Sequence, residues 1–462
     1  MNENNPQRTT DDGQGTLFDV ADFRPERPVP NEAPSGTPRV KLPERQQVKF
    51  MAAAWDDLLP EGHEARIVWE FVKRLDLTPF HSRIKAIEGR AGASAIAPSI
   101  LMALWLYATL RGVGSARELN RRCGEQGEIP FRWICGDISV NYHTLSDFRT
   151  AHGDFLDHLL TQSVASLLEQ DLVDMERVAQ DGMRVRASAG SSSFRRQKTL
   201  QDCLLEAEVQ VEALKAELEH DSNAANRRQQ AARQRAAEDR LKRVEEALSQ
   251  MPEMEAKKKK KEKDKARVST TDPDARVMKM ANGGFNPAFN VQFATDTKTQ
   301  IITGMEVINQ GGDRGQLAPM VEQHEERYGQ IPDEFLADGG FTYKEDIERV
   351  SVDPEEDDSS GTVVYAPVKT PKDKSRDPHE PLADDAPAVA AWRKRMGTDE
   401  AKEIYKDRAA TAECVNAIAR NRGLHQFTVR GLRKVKAVIL WYVLAHNLIR
   451  AEALRAARGN PG

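Results

Sequence analysis

Three acidic side chains occupy positions in the chain where a carboxylate could take part in chemistry. Asp181 lies inside an apolar, β-branched stretch that predicts a strand, where a buried carboxylate is unfavourable unless it meets a cation. Asp338 closes a second apolar stretch and precedes two glycines, which leave room for backbone or ligand to approach. Glu413 lies on a predicted helix with apolar residues on one side and arginines on another.

Two strand aspartates and a helix glutamate are the side chains an enzyme needs to hold two Mg²⁺ ions about 3.5–4 Å apart for phosphodiester displacement. Because carboxylates are hard oxygen ligands, they favour Mg²⁺, with Mn²⁺ as its substitute, over zinc. Each acid also has a structural alternative. Asp181 could be a buried acid paired with Arg184 or Arg186. Asp338 could form a strand-to-turn exit, and Glu413 could be a surface acid.

The patterns around these acids predict a sheet. Residues 177–188 alternate as a strand does, and residues 285–309 predict a β-hairpin with its turn at 296–298. A helix from Gln316 to about Tyr328 leads to the short strand that ends at Asp338. A further strand is predicted in GTVVYAPVK, and the last part of the chain, from residue 392 onward, is helical and basic.

Residues 196–267 predict an insertion made of an antiparallel helical hairpin and a lysine-rich segment. Apolar residues follow spacings of four and three, the seam of a heptad repeat: Leu200, Leu204, Ala207, Val211, Leu214 and Leu218. The seam fails over HDSNAANRRQQ and resumes at Ala237, Leu241, Val244 and Leu248. Residues 257–267 are too charged to fold alone, which favours a solvated linker over a strap that touches phosphate.

Residues 47–171 are predicted to form a helical domain. Ser115 and Glu118 fit a capping box, and a second helix start is predicted at Thr144. The helix after Ser115 carries Arg117 and Arg121. Short helices with arginines on one face suit a DNA-binding domain, and an ordinary helical bundle is the alternative.

The charge of the chain is segregated. Its 462 residues carry a net charge of −5, which excludes a uniformly basic nucleic-acid binder. Residues 401–462, however, hold 12 basic against 4 acidic side chains, whereas residues 341–400 have a net charge of −6. A locally basic surface is therefore expected near the C-terminus.

Cysteine usage and hydropathy favour a cytoplasmic protein. The four cysteines form no Cys-x-x-Cys pair, which argues against a zinc ribbon and a disulfide framework. The apolar stretches 94–110 and 437–449 fall short of the ~20 residues that a membrane span needs, so we expect core helices and no membrane segment. Residues 1–46 hold seven of the 23 prolines and are predicted to be disordered.

Several motifs occur in order along the chain: QDGMRVRAS around Asp181, then NQGGDRGQLAPM, FLADGGFTYKEDI around Asp338, and AECVNAIARNRGLHQFTVRGLRKVK around Glu413. The pieces GVGSARELNRRC and YHTLSDFRTAH precede them. With these motifs, residues 56–450 resemble the DDE transposases of bacterial insertion sequences, which pair an InsH-type helical N-terminal domain with an RNase H-like catalytic domain.

The resemblance implies a mixed α+β fold in which the helical domain of residues 47–171 precedes an RNase H-like mixed sheet flanked by helices. This catalytic domain would span residues 172–462, interrupted by the helical hairpin of residues 196–267. Asp181, Asp338 and Glu413 would be its catalytic and metal-binding triad, with two Mg²⁺ ions.

The resemblance also implies a Tyr-Arg-Glu-Lys signature, for which Tyr405, Arg408, Glu413 and Arg420 are the candidates. The gap from Arg408 to Glu413 is one residue longer than in the best-known version of the signature, and Arg420 stands where Lys is usual. Arginine could serve there because it stays charged and can grip phosphate bidentately. The residues predicted to bind DNA are Tyr405, Arg408, Arg420, Arg422, Arg430, Arg433, Lys434, Arg117 and Arg121.

The sequence thus predicts a transposase that cleaves at the ends of its element and joins the freed 3′-hydroxyl to target DNA. A nuclease that only hydrolyses and a non-catalytic DNA-binding protein are the alternatives. The expected partners are transposon-end and target DNA and a second copy in a homodimer on DNA, in the cytoplasm at the nucleoid. Gln14, Leu17 and Phe18 resemble the peptide by which bacterial proteins dock on the sliding clamp, and a chance match or docking on the protein's own helices is the alternative.

Overall fold

The described part of the chain begins with helices, continues into a mixed sheet and ends in a long helix. The computed structural model describes residues 54–82, 84, 94–220, 224–351, 361–371, 373 and 375–459. By their contacts, all of these belong to one unit, residues 53–462. The predicted tail of residues 1–46, with Gln14, Leu17 and Phe18, lies outside the described residues.

The N-terminal part is helical, as predicted. Its helices are α1 (Glu64–Lys73), α2 (Thr78–His81), α3 (Pro98–Leu110), α4 (Ala116–Cys123), α5 (Ile129–Cys135), α6 (Tyr142–Ala151) and α7 (Gly153–Glu169). Half of the predicted capping box is present, because the Ser115 hydroxyl accepts a hydrogen bond from the Glu118 amide at 3.4 Å, whereas the Glu118 carboxylate binds Arg121 and Arg122. The start predicted at Thr144 is wrong. Asn141 caps this helix instead, since its side-chain oxygen accepts from the Thr144 amide at 2.9 Å.

A six-stranded mixed sheet follows and confirms the α+β class. The strands of the described residues are β1 (Arg177–Arg186), β2 (Phe194–Arg195), β3 (Val268–Ser269), β4 (Arg276–Lys279), β5 (Phe285–Asp296), β6 (Ile302–Ile308), β7 (Glu334–Ala337) and β8 (Val363–Tyr365). Of these, β2 and β3 form a separate two-stranded sheet. β1 lies at the centre, antiparallel to β5 on one side and parallel to β7 on the other. β8 continues the sheet parallel to β7, while β4 and β6 pair antiparallel with β5. β5 and β6 are the predicted hairpin.

The insertion between β2 and β3 is the predicted helical hairpin. It consists of α8 (Gln197–His220) and α9 (Ala224–Ser249), followed by α10 (Met251–Ala256). Buried seam residues join the arms: Leu200, Ala207, Val211, Ala237 and Val244. An ion pair between Arg240 and Glu206, at 3.3 Å, also links them. The polar stretch expected to interrupt the seam belongs largely to α9, which begins at Ala224.

Helices cover the sheet and tie it to the N-terminal part. They are α11 (Leu317–Tyr328), α12 (Lys344–Val350), α13 (Pro387–Arg395), α14 (Asp399–Arg408), a π turn (Ala409–Glu413), α15 (Cys414–Asn421) and α16 (Leu432–Gly459). α16 packs against α3, α6, α7 and β6, so one helix connects the helical part with the sheet.

One described helix, α16, is long and apolar enough to cross a bilayer, but 72% of its most apolar window is buried inside the protein. α3 is buried over almost its whole length. Because their apolar faces meet other parts of the chain, both helices are the core helices that were predicted from the two apolar stretches.

Candidate active site

Two of the three predicted acids lie side by side where β1 and β7 stop pairing. In this parallel pair, Gln180 and Ala337 are the last partners in register. The next residue on each strand is an acid, Asp181 within β1 and Asp338 directly after β7. The register of the central strands therefore brings together two carboxylates that are far apart in the sequence.

A guanidinium lies next to both carboxylates. Nη2 of Arg408, the last residue of α14, is 3.4 Å from Oδ1 of Asp181 and 3.8 Å from Oδ2 of Asp338. The side chains of Arg408 and Asp181 are only 13% and 17% exposed, whereas that of Asp338 is 38% exposed. Arg184, an alternative partner of Asp181, pairs with Asp313 instead. One half-buried cation thus compensates two neighbouring carboxylates.

Hydrogen bonds fix the orientation of the two acids. The Gly182 amide donates to Oδ1 of Asp181, and Nδ2 of Asn416 donates to its Oδ2, both at 2.9 Å. The Gly340 amide donates to Oδ1 of Asp338 at 2.7 Å. A Cβ on residue 340 would lie 2.8 Å from that oxygen, so the second glycine after Asp338 gives the carboxylate its room.

Asp181 is short of compensating charge. Burial raises the pKa of its carboxyl, and the neighbouring Asp338 and Asp313 act in the same direction. Arg408 and the Gly182 amide lower this pKa without cancelling the effect of burial. An additional cation at this carboxylate would therefore be favourable.

The extra residue between Arg408 and Glu413 is taken up by the π turn (Ala409–Glu413). Arg408 and Asn416 are eight residues apart, about 2.2 turns of an ideal α-helix, which would place them on different sides of the helix. A π turn absorbs one residue, so Arg408 and Asn416 are separated by about 1.9 turns. Both side chains therefore face Asp181, in agreement with their contacts to it. Single π turns in α-helices are frequent at functional sites.

Glu413 ends the π turn, and its side chain is exposed. Among the described residues, no hydrogen bond or ion pair joins it to Asp181 or Asp338. The structure thus pairs two of the predicted acids and leaves the third less than one turn before Asn416. Tyr405 lies one turn before Arg408 and is half-buried; burial raises its pKa, which the charge of Arg408 lowers.

A fourth carboxylate, Asp313, was not singled out by the sequence patterns. Its Oδ1 accepts from Nδ2 of Asn290 at 2.6 Å and from Nε2 of Gln292 at 2.8 Å, and Arg184 binds its Oδ2 at 2.7 Å. Because successive strand residues point to opposite faces, Arg184 and this buried network lie on the face of β1 away from Asp181. The signal that could have indicated it is an isolated acid between glycines in NQGGDRGQ.

The donor set fits a magnesium ion held by two carboxylates. No three histidine, cysteine, aspartate or glutamate side chains of the described residues are close enough together to form a metal site. Mg²⁺, however, is commonly bound through one or two carboxylates together with waters and substrate phosphates. Asp181 and Asp338 provide these hard oxygens, and the position of Arg408 shows that the pair attracts a cation.

The predicted DNA-binding residues fall into two groups by exposure. Most have exposed side chains: Arg117, Arg121, Arg420, Arg430, Arg433 and Lys434. Three of the exposed ones have partners within the protein. Arg117 stacks over the Tyr142 ring at 5.1 Å, Arg121 pairs with Glu118, and Nε of Arg430 donates to the Ser188 carbonyl at 3.2 Å. Tyr405, Arg408 and Arg422 are half-buried.

Arg422 faces the interior of the described unit. Together with Arg149 and Tyr442 it lines a crevice between α16 and the loop after α3. Burial, with a contribution from Arg422, lowers the pKa of His446 to about 4. Arg422 is thus a predicted DNA-binding residue whose side chain lies against the core, as does that of Tyr405.

Comparison with known protein families gives two matches. A transposase domain (DUF772) matches residues 53–151, which contain α1 to α6. A transposase DDE domain matches residues 380–451, which contain Arg408, Glu413 and Asn416. No curated protein and no solved structure matches the chain. The second match includes the helix that contacts Asp181.

Proposed function

We propose that this chain, whose two domain matches support an insertion-sequence DDE transposase, cuts DNA at the ends of its element. It then joins the freed 3′-hydroxyl to target DNA. The observation that carries the proposal is the Asp181–Asp338 pair with Arg408 at 3.4 and 3.8 Å. The two carboxylates can bind metal, and the neighbouring guanidinium can bind phosphate. This combination suits phosphodiester displacement.

Asp181 and Asp338 would hold Mg²⁺, or Mn²⁺ in its place, and we propose Glu413 as the third carboxylate of a two-ion site. When bound, such ions supply activation of the attacking oxygen and charge stabilisation of the leaving oxygen. The chain's own contribution is orientation. Asn416 and the Gly182 amide each donate a hydrogen bond to one oxygen of Asp181, and such donors fix the orientation of a carboxylate that binds metal.

The basic residues would bind the DNA backbone. Arg408 and Tyr405 lie beside the carboxylate pair, where a scissile phosphate would have to lie. The more distant exposed side chains would contact flanking phosphates, which fix the position of the duplex without reading its sequence: Arg117, Arg121, Arg420, Arg430, Arg433 and Lys434. Arg422 belongs to the same basic C-terminal segment and would add a phosphate contact, although its side chain is half-buried.

We further propose that the sheet is RNase H-like and that the protein acts as a homodimer on DNA at the nucleoid. The parallel neighbours β1, β7 and β8, the antiparallel β5 and the flanking helices support an RNase H-like sheet. The homodimer rests on the resemblance to transposases.

The test uses a supercoiled plasmid that carries the DNA flanking both ends of the gene, incubated with the full chain and Mg²⁺. Asp181→Asn and Asp338→Asn are expected to lower the cleavage rate at least about 100-fold. Their DNA affinity, measured without divalent metal, should stay within about threefold of the wild type, because metals rather than acids meet the phosphate. Glu403→Gln, on the exposed side of α14, is the matched control and should cleave normally. Near-normal cleavage by Asp181→Asn would contradict the proposal.

Two other outcomes would point to the alternative functions. Metal-dependent nicking without joined products would indicate a nuclease that only hydrolyses. Binding without nicking would indicate a non-catalytic DNA-binding protein. Glu413→Gln is tested separately, since normal cleavage by this variant would remove Glu413 from the site and leave the aspartate pair in place.

A further inference from the structure

We infer that Arg408 is an internal counter-ion that keeps metal away from the Asp181–Asp338 pair until DNA binds. The inference rests on the proposed function, because it takes this pair to be the metal site. It goes further in making the order of binding a property of the protein, with DNA first and metal second.

Arg408 places a permanent positive charge next to both aspartates. Its Nη2 lies within 4 Å of an oxygen of each aspartate. A guanidinium does not lose its proton in proteins, so its charge cannot be removed by titration. A divalent ion that approaches the pair therefore meets a fixed positive charge at a largely buried position, where charges are weakly screened. The guanidinium has to move before the ion can bind at full strength.

Arg408 is also incompletely hydrogen-bonded where it lies. Its Nε is buried and has no hydrogen-bond partner among the described residues. Its distances to the two carboxylates, 3.4 and 3.8 Å, are longer than the roughly 2.7–2.9 Å of a strong charge-assisted hydrogen bond. A DNA phosphate offers the planar, bidentate acceptor that a guanidinium prefers. Phosphate would therefore compete well for this side chain.

The charge and the incomplete hydrogen bonding of Arg408 predict that DNA and metal bind cooperatively. If phosphate draws Arg408 away, the two carboxylates lose their counter-ion and gain affinity for a divalent cation. Since coupling between two binding sites is reciprocal, the cation must strengthen DNA binding by the same factor. The free protein would then hold little metal and would not activate water before its DNA substrate is in place.

The experiment measures Mn²⁺ affinity from the electron paramagnetic resonance signal of free Mn²⁺. The full chain is titrated alone and with a random-sequence duplex of roughly 30 base pairs, and Mn²⁺ taken up by the duplex alone is subtracted. Without DNA, Arg408→Gln is expected to bind Mn²⁺ at least about tenfold more tightly than the wild type, which is about 1.4 kcal/mol. DNA should tighten Mn²⁺ binding by the wild type at least about fivefold and by Arg408→Gln hardly at all.

Two variants serve as matched controls. Lys406→Gln removes a charge of the same sign two residues away; Lys406 is 68% exposed and pairs with Glu403, so Mn²⁺ affinity should not change. Arg408→Lys keeps the charge and should resemble the wild type in the absence of DNA. Thermal unfolding midpoints establish that each variant is folded.

Equal or weaker Mn²⁺ binding by folded Arg408→Gln would overturn the inference. If that variant does not fold, the wild type still tests the inference. Wild-type Mn²⁺ affinity that is the same with and without DNA would also overturn it. Asp181→Asn separates this failure from failure of the proposed function. If Asp181→Asn binds Mn²⁺ as the wild type does, the aspartate pair is not the metal site; if it loses binding while Arg408→Gln is unchanged, only the order of binding is wrong.

Discussion

Gly182 leaves open the space into which the Asp313 carboxylate reaches. A Cβ on residue 182 would overlap Oδ1 of Asp313 and would lie 2.6 Å from Nε2 of Gln292 and 2.9 Å from Oδ1 of Asn290. The glycine next to Asp181 thus serves the opposite face of the sheet, where the buried Asp313 network holds the loop before α11 against β1.

Replacing this glycine should therefore destabilise the protein. Gly182→Ala forces the Asp313 network apart, and overpacking of this kind typically costs about 1–3 kcal/mol. We expect a loss of that size in the free energy of unfolding from urea titrations. Gly312→Ala is the matched control, since a Cβ on residue 312 meets nothing within 4 Å. Equal stability of the two variants would contradict this account of Gly182.

The sequence predicted the strand around Asp181 but not the structural role of Gly182, the next residue. Alternation and β-branched residues indicate a strand because they reflect its own periodicity. The network of Asp313 depends on side chains from three separate segments that meet only in the folded sheet. The pairing of Asp181 with Asp338 likewise depends on the register of β1 and β7, which neither strand encodes alone.

Asp272 predicts a pH dependence of stability. Its Oδ1 accepts a hydrogen bond from the Gly431 amide at 3.2 Å, just before α16, while its buried Oδ2 has no partner among the described residues. Burial raises the pKa of Asp272 to about 6, from 3.8, partly opposed by the Gly431 amide. The folded protein therefore binds this proton more tightly than the unfolded chain, so the stability contributed by the proton is lost as pH rises through about 6.

Asp272→Asn should remove this dependence. Between pH 4 and pH 7, the wild type is expected to lose up to about 3 kcal/mol of unfolding free energy relative to the variant, because one pKa unit corresponds to about 1.4 kcal/mol. Urea titrations at pH 4, 5, 6 and 7 measure the difference. Asp399→Asn, at a fully exposed carboxylate, is the control. A difference between wild type and Asp272→Asn that is constant with pH would show that Asp272 titrates normally.

The π turn predicts that adding one residue lowers Mn²⁺ affinity, whereas removing one does not. Deleting the exposed Ala410 should convert the π turn into an α-helical turn while Arg408 and Asn416 still face Asp181. Mn²⁺ affinity should then stay within about threefold of the wild type. Inserting an alanine after Ala410 rotates the following helix by about 100° and moves Asn416 away, so Mn²⁺ affinity should fall at least about tenfold.

Equal Mn²⁺ affinities of the deletion and insertion variants would show that the phase of this helix is unimportant.

The longer gap between Arg408 and Glu413 was visible in the sequence, but its meaning was not. A spacing reports the number of residues and not the geometry of the turn between them. Since π turns are rare, an extra residue in a motif predicts a shifted side chain unless the structure shows how the helix absorbs it.

The exposed basic residues before and at the start of α16 should give DNA binding its dependence on salt. Neutralising Arg430, Arg433 and Lys434 together to Gln is expected to reduce the slope of log affinity against log salt by up to about 2.7, at about 0.9 for each phosphate contact. Preference among DNA sequences should hardly change. Fluorescence anisotropy over a range of salt concentrations measures both quantities.

The matched control for the salt slope neutralises three exposed lysines of the lysine-rich segment: Lys258, Lys259 and Lys260. If that segment is a solvated linker, as predicted, this variant keeps the wild-type slope. A lower slope in the control, with an unchanged slope in the first variant, would move the DNA contact from the start of α16 to the lysine-rich segment.

The N-terminal motif predicts binding to the bacterial sliding clamp. Leu17 and Phe18 are adjacent apolar anchors in a polar segment, and a short segment of this kind can insert them into a pocket on a partner, with weak and reversible affinity. A labelled peptide of residues 11–23 should bind purified clamp with saturation at tens of micromolar. The same peptide with Leu17→Ala and Phe18→Ala should not. Equal binding by the two peptides would mean that the match to the clamp motif arose by chance, which is a known risk of short motifs.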